Sequence, residues 1–82
     1  MTEQGILSAC TRILRDLLSD DSIVLTMETR REDVANWDSL GYVGFMVAVE
    51  LEFGVKFGVA EVEAFENVGA IVRGLMAMLP AS

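Results

Sequence analysis

The stretch WDSLGYVGFMVAVELEFG, residues 37–54, decides the reading of this chain. Its charged and hydroxyl-bearing residues sit at the start, at Asp38 and Ser39, and near the end, at Glu50 and Glu52. Between them the residues are apolar or glycine, apart from Tyr42. A side-chain oxygen at a helix N-cap accepts a free backbone N–H, and a glycine just past the last turn is a common stop. A helix is therefore predicted from Asp38-Ser39 to near Gly54. On a helical wheel it has two apolar stripes. One contains Tyr42, Phe45, Met46, Val49 and Phe53; the other contains Leu40, Val43, Val47 and Leu51, with Gly44 among them. A helix that is apolar nearly all round is buried or touches a partner. In a domain this small one stripe enters the core easily and two only with difficulty. The Tyr42 stripe is predicted inward. Leu40, Val43, Val47 and Leu51 are predicted to form a partly exposed partner-binding patch, with Glu50 beside them. The competing arrangement has the preceding loop fold over that patch through Ile23, Leu25 and Trp37.

Working outward, residues before this helix split into a periodic and an aperiodic part. Ile6, Leu7, Cys10, Ile13, Leu14, Leu17 and Leu18 follow the i, i+3, i+4, i+7 pattern of an amphipathic helix, with Arg12, Arg15 and Asp16 directed away. The turn formers Ser19-Asp20-Asp21-Ser22 end it. A long connection then runs to Asp38. Loops of that length are uncommon in small domains unless held or used. Ile23, Leu25, Met27, Val34 and Trp37 are apolar enough to pin it to the helices, and a helical turn fits Arg31 to Ala35. The acidic start lacks the alternating oxygen ligands and central glycine of a calcium loop.

Beyond Gly54, residues 55–59 read as a short link and Ala60 to Phe65 as one or two helical turns. Asn67 caps a last helix with the stripe Val68, Ile71, Val72, Leu75, Met76 and Leu79, and Pro80 stops it. No segment alternates like a strand, and there is no internal repeat. The expected fold is an all-α, four-helix bundle with a long first loop and a short third helix, forming a single domain over residues 1–82.

Composition excludes several functions. Thirteen acidic against six basic residues give a net charge of -7. A body that acidic repels phosphate backbones, so nucleic acid is not an expected partner, while basic protein surfaces are its electrostatic complement. There are no histidines and one cysteine, Cys10, which leaves no internal disulfide and no metal cluster. Cys10 reads as a small buried hydrophobe. No signal peptide is evident, and the apolar run Gly41 to Val49 is far short of the roughly 20 residues that span a bilayer. A cytoplasmic monomer without a membrane span is expected.

Chemistry concentrates where the loop meets the second helix, at Asn36-Trp37-Asp38-Ser39-Leu40. A serine there lies on the surface beside unpaired backbone donors and the positive end of the helix dipole. That setting suits an anionic phosphoryl substituent. The plainer reading is that Asp38 and Ser39 only cap the helix. Without histidine, no base is placed to activate Ser39 as a triad nucleophile, and no catalytic residues are expected.

Trp37-Asp38-Ser39-Leu40, followed by Val43, Met46 to Glu50 and Glu52 to Val55, closely resembles the modification-site helix of acyl carrier proteins. Glu61 to Val72 resembles their short third helix and the start of their fourth, so the resemblance covers nearly the whole chain. It implies that Ser39 is the attachment site, supported by Asp38. A phosphopantetheinyl transferase using magnesium and coenzyme A would place 4'-phosphopantetheine on the Ser39 hydroxyl. Acyl cargo would ride on the terminal thiol, delivered and consumed by acyl-loading and acyl-processing enzymes, with the carrier itself catalysing nothing. Where many fatty-acid carriers place acids along the second helix, this chain has Gly41, Gly44 and Leu51. A tryptophan before Asp-Ser-Leu looks more like discrete carriers of specialised acyl pathways, and glycines directly before the serine-leucine pair, usual in peptidyl carriers, are absent. The resemblance thus favours polyketide-like or secondary-metabolite assembly. The alternatives are an aminoacyl or small hydroxyacyl carrier, and a helical interaction module that never bears an arm.

Overall fold

The computed structural model describes residues 2–79. Four α-helices follow one another: α1 over Glu3–Leu18, α2 over Ser39–Phe53, α3 over Val59–Ala64 and α4 over Val68–Met78. A single 3-10 turn, Arg31–Asp33, interrupts the long first loop, and no strand occurs among the described residues. The all-α fold expected from the sequence is the one found. Pro80, expected to stop α4, lies outside the described residues.

Side chains set the helix starts. Thr2 Oγ1 accepts from Gly5 N at 3.0 Å, Asp38 Oδ1 from Gly41 N at 2.8 Å and Asn67 Oδ1 from Ala70 N at 2.8 Å. Left-handed residues end the first two helices, Ser19 at φ 52° after α1 and Gly54 at φ 67° after α2. Such a residue turns its own N–H back onto the last helical carbonyls, which otherwise lack partners.

Helix α1 packs against both α2 and α4. The core holds Ile6, Leu7, Cys10, Ile13 and Leu14 of α1, Phe45, Met46 and Val49 of α2, and Val68, Ile71, Val72 and Leu75 of α4. Two stripe residues depart from expectation. Leu17 is 42% exposed because it stands opposite Gly44, which has no side chain to cover it. Met76 is exposed because it falls about 80° around the wheel from Val68, past the rim of the stripe. Arg15 also departs: it is half-buried, donating from Nε to the Ile23 carbonyl at 2.7 Å.

The first loop is held at both levels of structure. Ile23, Leu25 and Trp37 are buried in the core, and Met27 and Val34 pack against it. Its backbone also carries the N-terminus of α4. Val68 N donates to Thr29 O and Gly69 N to Met27 O, each at 2.8 Å. Two N–H groups that a helix start leaves orphaned are thus satisfied by loop carbonyls, and Asn67 serves a third.

The link between α2 and α3 is more than a connection. Phe57 is buried edge-on to Phe65, with ring centroids 5.2 Å apart, and Gly74 of α4 leaves room for both rings. The Phe57 N–H donates to Glu50 Oε2 at 2.7 Å. One residue of a link shows no periodicity, so this packing left no sequence signal.

Candidate functional site

Ser39 is the first residue of α2, and its side chain is exposed. The capping task falls to Asp38 alone, whose Oδ1 takes the Gly41 N–H. Among the described residues the Ser39 hydroxyl makes no hydrogen bond. A left-handed Asn36, at φ 67°, turns the loop into this junction, and Asn tolerates that backbone region better than most residues.

Trp37 anchors the junction from below. Its indole stands edge-on to Phe45 at 5.1 Å between centroids and tilted against Tyr42 at 6.1 Å. A Cβ on Gly41 would lie 3.4 Å from Trp37 Cδ1 and 3.3 Å from Asp38 Oδ1. Gly41 therefore has a packing reason: the tryptophan edge and the capping carboxylate occupy the space beside it. Trp37 Nε1 is buried without a hydrogen-bond partner among the described residues.

Beside Ser39 opens a cleft of about 680 Å³. Helix α2 lines it with Ser39, Tyr42, Val43, Met46 and Val47, α3 with Val59 and Val62, and the loop with Arg31. Tyr42 ties two walls together, donating from its hydroxyl to the Val62 carbonyl at 2.6 Å. A third wall meets the same ring, since the Arg31 guanidinium lies over it at 5.5 Å from the centroid. Burial raises the Tyr42 hydroxyl above its ordinary pKa, and the Arg31 charge opposes that rise.

Of the residues singled out from sequence, Ser39, Val43, Val47 and Glu50 come together around the cleft. Leu40 and Leu51 face outward, 81% and 79% exposed, while Val43 and Val47 are 54% and 50% exposed. The first loop does not cover this stripe. Glu50 differs from expectation: its carboxylate is held inside the domain by the Phe57 N–H, so it is not a free acid on the α2 surface. Glu52 pairs with Arg12 at 3.1 Å. Sequence reasoning missed Arg31, Val59 and the Tyr42 strut. The signal for the last was a tyrosine in an apolar stripe, whose hydroxyl needs a partner once buried.

No group of three or more metal-ligating side chains occurs among the described residues, and none of their helices is long and apolar enough to cross a membrane. No family model matches the chain. It is 30% identical over 79 residues to the acyl carrier protein MbtL of Mycobacterium sp. (strain MCS), covering 96% of this chain and 89% of that protein. The chain belongs to the acyl carrier protein family. The solution NMR structure of a holo acyl carrier protein from Geobacter metallireducens has the same fold, with a TM-score of 0.80 and 38% identity over 87% of this chain and 82% of that one.

The prosthetic group of an acyl carrier protein is covalent 4'-phosphopantetheine. The residues of this acyl carrier protein fit it. An attachment serine must offer a hydroxyl that is solvent-facing and not needed by the fold, and Ser39 meets both conditions because Asp38 does the capping.

Proposed function

We propose that Ser39 bears the phosphopantetheine arm and that the protein carries acyl intermediates in a specialised pathway, outside ordinary fatty-acid synthesis. The observation behind the first half is the division of labour at the α2 N-terminus, where Asp38 caps and the exposed Ser39 hydroxyl makes no hydrogen bond among the described residues. When bound, the arm supplies a terminal thiol that holds acyl groups as thioesters. Ser39 holds the arm at the mouth of the cleft, and Asp38 fixes the helix turn that presents it. Leu40, Val43, Val47 and Leu51 form the surface met by the transferase and by acyl-loading and acyl-processing enzymes.

The second half rests on the α2 surface. Gly41 and Gly44 carry no side chain and Leu51 is apolar, while the carboxylates of Glu50 and Glu52 are engaged within the domain. The outer face of α2 therefore offers apolar area where a strongly acidic helix would offer charge. The similarity to the acyl carrier protein MbtL supports the carrier role. The same reading makes residues 1–82 one carrier domain, acting as a cytoplasmic monomer and as a substrate of enzymes.

Incubation with coenzyme A, magnesium and a broad-specificity phosphopantetheinyl transferase should add one arm, located on Ser39 by peptide mass spectrometry. Ser39→Ala should gain none; an arm on the alanine variant would move the site. Thioester mass spectrometry of protein from its native host addresses the pathway. Saturated straight-chain acyl groups as the main cargo would overturn the specialised reading.

A further inference from the structure

We infer that Arg31 binds the phosphodiester of the arm, acting as the cation of the attachment site. This rests on Ser39 being the site of attachment. A phosphodiester on Ser39 sits beside the Asp38 carboxylate, and two anions that close repel each other. The backbone N–H groups at the first turn of α2 offset part of that charge. One of them, Gly41 N, is already taken by Asp38.

Arg31 is placed to supply the rest. It shares the cleft wall with Ser39, and its guanidinium rests on the face of Tyr42. Tyr42 is three residues after Ser39, so the two are neighbours on one helix face, and helical side chains lean toward the N-terminus, which brings the ring toward Ser39. Among the described residues Arg31 has no carboxylate partner, whereas Arg12 pairs with Glu52 and Arg30 with Glu32, at 3.1 and 3.6 Å. Arg15 is committed to the Ile23 carbonyl. Lys56, the other cation lining this cleft, likewise has no carboxylate partner among the described residues, but it is Arg31 whose guanidinium lies over the Tyr42 ring. Four acids line the same cleft: Arg30 holds Glu32, the Phe57 N–H holds Glu50, and neither Glu63 nor Glu66 forms an ion pair with Arg31. Stacking on Tyr42 pre-orders the guanidinium without using its N–H donors, and a guanidinium matches two phosphate oxygens at once.

The test compares apo and holo protein by NMR after mass spectrometry has placed the arm on Ser39; an arm elsewhere refutes the attachment reading before Arg31 is examined. In holo protein the Arg31 Nε–H signal should shift, and its hydrogen exchange should slow roughly two- to fivefold, the range open to an exposed charged pair. Both changes should fade in high salt. The phosphorus-31 resonance should move in holo Arg31→Gln and stay in place in holo Arg73→Gln. Identical Arg31 signals in apo and holo protein, or a phosphorus resonance indifferent to Arg31→Gln, would overturn the proposal.

Discussion

Gly69 donates its backbone N–H to the Met27 carbonyl at 2.8 Å, and a Cβ at position 69 would overlap that same oxygen. The clash is with backbone, which cannot swing aside as a long side chain can. Gly69→Ala must therefore push the first loop off the N-terminus of α4 or tilt the helix. Overpacking of this kind costs about 1–3 kcal/mol. Urea denaturation should show a loss in that range, and hydrogen exchange should show faster opening at Val68 and Gly69. A variant as stable as the parent would mean the loop is not seated there.

Phe45 is fully buried in the core, with the Trp37 ring edge-on to it. Phe45→Ala should cost about 3–5 kcal/mol, a large share of the stability of a small domain. Denaturant melts of parent and variant measure it directly. Parental stability in the variant would mean that the other α2 stripe faces inward.

The helices were legible because each carries its own periodicity and its own cap: Asp38, Gly54 and Asn67 all do what their types and positions suggested. The inward face of α2 was legible too: Phe45, Met46 and Val49 of the Tyr42 stripe are buried while the other stripe is exposed. What escaped were features that depend on two distant segments. Gly69 looked like any helix glycine until the Met27 carbonyl was placed against it. Glu50 looked like a surface acid because nothing in the sequence says that Phe57 folds back to it. Arg31 and Ser39 share a cleft only because Trp37 and Val34 draw the loop onto the core.

Cys10 gives a pH dependence that can be isolated. It is fully buried, and burial pushes its thiol from 9.0 up to about 11. Below the unfolded value the thiol is neutral in both states and folding is unaffected. Between 9.0 and about 11 the unfolded chain loses the proton while the native chain keeps it, so stability falls as pH rises. The loss is at most about 3 kcal/mol. Tyr42, also raised by burial, titrates in parent and Cys10→Ala alike and cancels in the comparison. Urea melts at about pH 8.5, below the window, and at about pH 10.5, well inside it, should show the parent losing more stability than Cys10→Ala. Equal losses would show the thiol to be more accessible than its burial indicates.

The apolar stripe of α2 makes the last prediction. Leu40, Val43, Val47 and Leu51 are each at least half exposed and run from Ser39 along one side of the helix, with exposed Val59 of α3 across the cleft. On α2 itself few acids are unengaged beyond Asp38, because Glu50 is held by the Phe57 N–H and Glu52 by Arg12. A partner meeting this face gains by covering side chains rather than by pairing with acids. Val47→Asp places a charge at the centre of the stripe without touching the core, so the variant should fold as the parent does. Its affinity for the transferase should fall by about tenfold, the order expected from losing one buried aliphatic side chain at an interface. Raising salt from low to physiological strength should change parental association only about twofold, since few exposed charges remain on α2 to be screened. Transferase binding by Val47→Asp at parental affinity would remove the stripe from the interface. A collapse of association over the same salt range would show that acids elsewhere on this net -7 chain govern docking.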